Sequence, residues 1–165
     1  MSDPSPEKDA RIKFLVVASD CDEARRAAFF AGRRARNSNA RVTLLHVMEP
    51  PEFGHWASVA ETMRAEAEDA AEALLREFAA EVKAQSGEDP ELVKREGEAV
   101  EEIRTLISDD ENIAFVFLGV STETKSPGPL VSAVAKDSAA LSARPIPLVL
   151  VPGSASRDEL RRLAG

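Results

Sequence analysis

The residues best placed to do chemistry stand between two apolar runs. Ile113–Val120 reads IAFVFLGV, Leu148–Val151 reads LVLV, and the loop STETKSPGP (Ser121–Pro129) follows the first run. Both runs are short, apolar and rich in β-branched residues, the pattern of strands covered on both faces. After the loop, LVSAVAKDSAALSAR carries small and apolar residues at helical spacing. It predicts a helix that starts near Pro129, where proline suits a first turn. Strand, loop, helix and strand make a βαβ unit with parallel strands. Ligands of open parallel sheets bind beyond the carboxyl ends of strands, where loops meet helix N-termini. Val120–Pro129 is therefore the first place to look for a site.

Other reactive side chains are few. Cys21 is the single cysteine, so no intrachain disulfide and no multi-cysteine metal site can form. Asp20, Asp22 and Glu23 surround it and disfavour a thiolate. His46 lies inside an apolar run and reads as a hydrogen-bonded core histidine. His55 has no second ligand set beside it, which argues against metal. No P-loop, nucleophile elbow or Rossmann glycine triplet occurs, and no catalytic constellation stands out.

The elements that must position these residues follow from the rest of the chain. Its 165 residues fit one domain with a sizeable core, and its net charge of −8 argues against binding to nucleic acid or an anionic membrane. Residues 1–10 read as a disordered lead-in without signal-peptide character, and residues 11–165 as the domain. With no apolar run long enough to span a membrane, a cytoplasmic setting is expected. Ile12–Ala18 and Val42–Val47 are buried strands, and Leu92–Arg95 is a less apolar edge strand. Helices are predicted over Glu23–Arg36, Ser58–Gln85, Ala99–Ser108 and Asp158–Leu163. Asp20 or Asp22 can cap the first. Met63, Ala67, Ala70, Ala71, Leu74, Leu75, Phe78 and Val82 form one stripe on the long second helix. Ser156 and Glu159 have capping-box spacing. Phe53 and Trp56, just before the long helix, are expected to seat it, with packing over the ligand cleft as the alternative. Alternating strands and helices, with right-handed crossovers, give a three-layer α/β sandwich.

Several short motifs in order carry a family resemblance. Val16-Val17-Ala18-Ser19-Asp20 ends the first strand in an aspartate. Leu44-Leu45-His46-Val47 is followed by Glu49-Pro50, Glu96-Gly97-Glu98 leads into Ala99-Val100-Glu101-Glu102-Ile103, and the fourth strand ends in Leu118-Gly119. Pro145-Ile146-Pro147 enters the last strand. In this order and spacing, from about Arg11 to the C-terminus, the chain resembles the universal stress protein family. The resemblance implies an adenine nucleotide alpha hydrolase-like fold with a five-stranded parallel sheet in order 3-2-1-4-5. It also implies a homodimer formed through the last strand near Leu148–Val151.

Many members of that family bind ATP through a loop with glycine, two residues, glycine, nine residues, then glycine with Ser or Thr. Glycines let backbone N–H groups approach phosphates, and the following helix N-terminus favours negative charge. Here Gly119 matches the first glycine, but Thr122 and Ser132 stand at the later glycine positions and Pro129 follows Gly128. The resemblance thus implies a degenerate loop. Its candidate nucleotide residues are Asp20 and Val47 for the nucleoside, and Gly119, Ser126, Gly128 and Ser132 for phosphates. Each also has a plain structural role: a helix cap for Asp20, a core position for Val47, turn formation for the rest. The implied function is a non-enzymatic, dimeric stress-response module acting through an unidentified protein partner, with nucleotide binding weak or absent. The alternative is an ATP binder with slow hydrolysis. A phosphoacceptor receiver domain is a third reading, drawn from the acidic pair Asp20 and Asp22. It lacks the acceptor aspartate after strand three, where Glu96-Gly97 stands.

Overall fold

A computed structural model describes residues 9–50, 57–123 and 125–165. Most of the predicted lead-in, together with Phe53, His55 and Trp56, lies outside the described residues. The strands are β1 (Lys13–Val17), β2 (Arg41–Met48), β3 (Glu91–Glu96), β4 (Ile113–Val120) and β5 (Leu148–Pro152). Between and after them run α1 (Asp22–Ser38), α2 (Ala57–Ser86), α3 (Ala99–Asp109), α4 (Pro129–Lys136) and α5 (Arg157–Ala164). All four neighbouring strand pairs are parallel, in the order β3-β2-β1-β4-β5. This is the order implied by the resemblance. It overturns the receiver-domain reading, whose fold places strand three between strands one and four.

The central strands β1 and β4 are covered on both faces because each supplies two cores, whereas Leu148–Val151, expected to be covered likewise, is the edge strand β5 with Leu150 exposed. Phe14 and Val16 of β1 join Phe117 of β4 under α1, α2 and α5. Leu15 of β1 joins Leu45, Val116 and Leu118 under α3 and α4. The register slips between Lys13 and Phe14, so that Ile113 and Phe115 of β4 face opposite layers despite their even spacing. β3 alternates half-buried and exposed positions along its length, as an edge strand should. Among the described residues no helix is long and apolar enough to cross a membrane.

Three expectations about helices need correction. α1 runs from Asp22 to Ser38, and Cys21 rather than Asp20 or Asp22 occupies its N-cap, with no side-chain cap bond. The predicted helix over Leu130–Arg144 ends at Lys136. There Asp137 turns its carboxylate onto the Ala139 N–H at 3.0 Å, a local bond that competes with helix continuation. The remaining crossover is tied down by arginines: Arg104 donates to the Ala139 carbonyl, and Arg144 to those of Ile107 and Asp110. Finally, the α2 stripe divides. Ala71, Leu75, Phe78 and Val82 are buried, whereas Met63 stays 40% exposed. The capping box of Ser156 and Glu159 forms as predicted.

At the amino end of the sheet, Lys13 is buried and donates to Asp110 at 2.7 Å and to Glu91 at 3.1 Å. The bonds join β1 to β3 and to the residue that ends α3. Burial alone would lower the Lys13 pKa, but the bonds to Asp110 and Glu91 outweigh it and the net shift is upward. A folded pKa above the unfolded value means the pairing stabilises fully below the unfolded lysine value, about 10.4. That contribution is lost as pH rises through the raised folded pKa. The urea midpoint of Lys13→Met is therefore expected to fall less steeply than wild type on the alkaline side. At neutral pH this variant should lose about 1–2 kcal/mol, less than the roughly 3–5 kcal/mol of a fully buried pair, because both carboxylates are partly exposed.

Candidate functional site

β1 and β4 are the central neighbours from which the chain winds outward in both directions. A crevice beyond their carboxyl ends is where such sheets bind ligands. Here it has a volume of about 200 Å³ and is lined by Val17, Ser19, Cys21 and Glu23 on one side and Leu118, Gly119, Gly128 and Pro129 on the other. Ligand pockets usually hold about 300–1,000 Å³. No lysine or arginine lines the crevice among the described residues.

The reason it is narrow lies in Gly119. A Cβ at this position would overlap the Glu23 carbonyl and crowd the Ala24 nitrogen at 2.8 Å. The glycine thus admits the first turn of α1 against the end of β4. Its missing side chain is used for packing. Gly128 differs: its φ of +111° is a conformation that L side chains rarely adopt, and a Cβ would meet open space. It precedes Pro129 at the start of α4, and its carbonyl accepts the Ser132 N–H at 2.9 Å. The loop is closed by a hydrogen bond from the Ser121 N–H to the Pro127 carbonyl at 3.0 Å. The Ser126 hydroxyl accepts the Gly128 N–H at 3.3 Å, so it serves the turn.

Cys21 lines this crevice half-buried. Burial pushes its thiol pKa up, the Ala24 N–H pulls it partly back, and the Glu23 carboxylate raises it further. A thiolate is disfavoured there, as the flanking acids predicted.

A second and larger cavity, about 650 Å³, lies between the end of β2 and α2. Asp20, His46, Val47 and Glu49 face Ala67, Ala70, Leu74 and Glu77 across it. The His46 Nδ1 sits 2.7 Å from the Ala18 carbonyl. A carbonyl only accepts, so Nδ1 carries the proton. This matches the hydrogen-bonded histidine expected from the sequence. Asp20 is highly exposed and ion-paired with Arg25 at 2.8 Å, and Arg25 also meets Glu77 of α2 at 2.8 Å. Arg25 bonding holds the Glu77 carboxyl below its ordinary value.

The six candidates therefore divide. Gly119 and Gly128 meet in the small crevice, and Asp20 and Val47 in the large cavity. Ser126 and Ser132 line neither. The residues that sequence reasoning missed are Arg25 and Glu77. No local signal pairs them, because they stand 52 positions apart and only the packing of α1 on α2 joins them.

The universal stress protein family model matches residues 12–152. Solved structures share the fold at low identity. The universal stress protein UspA from Lactobacillus plantarum is 18% identical, with a TM-score of 0.69 over 87% of this chain and 99% of its own. A universal stress protein in complex with cAMP is 21% identical, with a TM-score of 0.64 over 88% of this chain and all of its own. A family protein from Arabidopsis thaliana with AMP bound is 17% identical, with a TM-score of 0.57 over 86% of this chain and 91% of its own. No curated protein matches the chain.

Gly119→Ala should lower the unfolding free energy by about 2 kcal/mol, in the range of overpacking, because the first turn of α1 must retreat. Urea denaturation followed by circular dichroism measures it. Gly128→Ala should cost less than Gly119→Ala, since strain without overlap is its only penalty.

Proposed function

The chain belongs to the universal stress protein family, and from that premise we propose that it is a non-enzymatic, dimeric stress-response module of the cytoplasm. It works through protein–protein contacts, and its nucleotide binding is weak or absent. The observation that carries this reading is the closed crevice beyond β1 and β4. About 200 Å³, with no lysine or arginine among the described residues that line it and with Glu23 on its wall, it offers a triphosphate neither room nor charge. The two relatives with cAMP and AMP bound favour a second reading, an ATP binder with slow hydrolysis. What supports it here is the larger cavity, whose 650 Å³ and whose Asp20 and Val47 suit a nucleoside.

The dimer is proposed through the open edge of β5. The Pro147 carbonyl accepts the Val116 N–H, and the Gly153 N–H donates to the Val120 carbonyl. Odd-numbered residues of β5 therefore bond toward β4, and the backbone groups of Leu148 and Leu150 point to the open side. The Leu150 side chain is also 48% exposed. An unpaired apolar edge of this kind is a template for a second strand.

Isothermal calorimetry with magnesium and ATP should give no saturable heat up to about 1 mM. A dissociation constant below about 10 μM would reverse the functional reading in favour of the ATP binder. Light scattering should find a dimer at micromolar concentration. Leu150→Pro removes an outward N–H without touching the β4 ladder, and should yield monomers of unchanged circular dichroism. A monomeric wild type would defeat the dimer proposal.

A further inference from the structure

α5 stands apart from the rest of the fold. The family match closes at residue 152, the last of β5, and α5 lies beyond it. Among the other elements only α1 packs extensively against α5; the sheet does not. Two of its eight residues, Leu160 and Ala164, are buried, whereas Leu163 is 64% exposed.

The contact lies on the outward side of α1. Phe29 is two residues from Ala27 and two from Ala31, so it points about 200° around the helix from those alanines. A phenylalanine there would ordinarily meet water, yet Phe29 is 1% exposed. The Arg157 guanidinium lies over its ring, 4.3 Å from the centroid, and that of Arg161 lies 6.0 Å away. Leu160 belongs to the same apolar cluster. The other fasteners are polar. Arg157 pairs with Glu81 of α2, Arg26 donates to the Ala155 carbonyl at 2.8 Å, and Arg34 and Asn37 donate to the Ala164 carbonyl at 3.1 and 3.0 Å.

An isolated helix this short does not hold its shape in water, so α5 is helical only while docked. Its docking rests on two apolar side chains, one stacked arginine, and hydrogen bonds that water can replace. The central strands, covered on both faces, have far more to lose by opening. Elements with few buried apolar contacts open in separate, sub-global steps.

We propose that α5 is a releasable latch: it undocks and unfolds as a unit while the five-stranded core stays folded, and it uncovers Phe29 on the outer side of α1. Docked, it hides the ring and ties α1 to α2 through Arg157 and Glu81. Released, the chain presents an aromatic patch flanked by Arg26 and Arg33, three residues before and four after Phe29 on the same helix. The two states thus differ in one exposed aromatic face. The inference goes beyond the functional reading above and stands whether or not the chain binds nucleotide.

Native-state hydrogen exchange of the full chain in graded urea reads this step. The amides of Leu160 to Ala164 should exchange at least about a hundredfold faster than those of Val16 in β1 and Val116 in β4, at rates that low urea does not change. Leu160→Gln should speed α5 exchange at least about tenfold more and leave the two strands unchanged. This variant should also bind an anilinonaphthalene sulfonate dye that the wild type does not. Leu163→Gln, altered at an exposed position of the same helix, should match the wild type in both readouts. Amides of α5 that exchange only together with β4, with the same urea dependence, would make the helix part of one cooperative unit and overturn the proposal. An equal loss of protection in α5 and β4 on Leu160→Gln would overturn it too.

Discussion

The first turn of α1 sits directly on the end of β4, and the rest of the carboxyl face is arranged around that contact. Two glycines permit it. Gly119 has no Cβ to collide with the Glu23 carbonyl, and a Cβ on Gly153 would stand 2.6 Å from the Val120 carbonyl and 3.2 Å from the Glu23 Cβ. Backbone thus meets backbone at the place where a parallel sheet ordinarily leaves its ligand crevice. Close approach lets Ala24, Ala27 and Ala31 of α1 bury fully against the sheet. The same approach leaves only a shallow space between Ser19 and Gly128. Packing and pocket volume are two consequences of one contact, and here packing prevails.

Charge follows from the same turn. Asp22 and Glu23 stand in the first turn of α1, where the helix dipole favours carboxylates. Their placement stabilises the helix and makes the adjoining crevice unfavourable to phosphate. Arg25 could have offset this, but its guanidinium points toward α2 and is engaged by Glu77 and Asp20. Held by two carboxylates, it reads as a clamp between α1 and α2. Gly128 keeps the positive φ of a loop glycine and Pro129 starts α4 cleanly, so the helix start survives without the cations and space that phosphate would need.

The strands were legible because burial on both faces leaves a strong mark: Phe14 to Val16 and Val116 to Leu118 have no polar residue to interrupt them. Helix ends were legible where a side chain does the capping, as with Ser156 and Glu159. Strand order came from family resemblance and not from pattern, since parallel pairing depends on which crossover passes over which face. The end of α4 was hidden because Ala139, Ala140 and Leu141 keep helical spacing past Asp137. One local hydrogen bond from that aspartate, and arginines arriving from α3 and from Arg144, decided otherwise. The fate of Asp20 was hidden for a related reason. Its partner Arg25 is near in sequence, but Glu77, which fixes that arginine, is brought near only by the packed fold.

The long helix shows why periodicity alone can mislead. Thirty residues of α2 span about 45 Å, whereas the eight of β2 reach about 26 Å, so much of the helix has no sheet beneath it. Its upper part contributes no buried residue before Ala71. Alanine-rich composition and the ion pairs Arg64–Glu96 and Lys94–Glu72 sustain the helix there. An apolar stripe counted along the whole length merges two faces that point about a quarter-turn apart. One face packs against α1 and β2, whereas the other ends in exposed Val59 and Met63. Core burial accounts for the first face, and Leu74 of the second also packs partly against the core. The carboxyl end of the sheet thus has a crevice narrowed by α1 and, one strand away, a larger cavity bordered by Ala67 and Ala70 of α2.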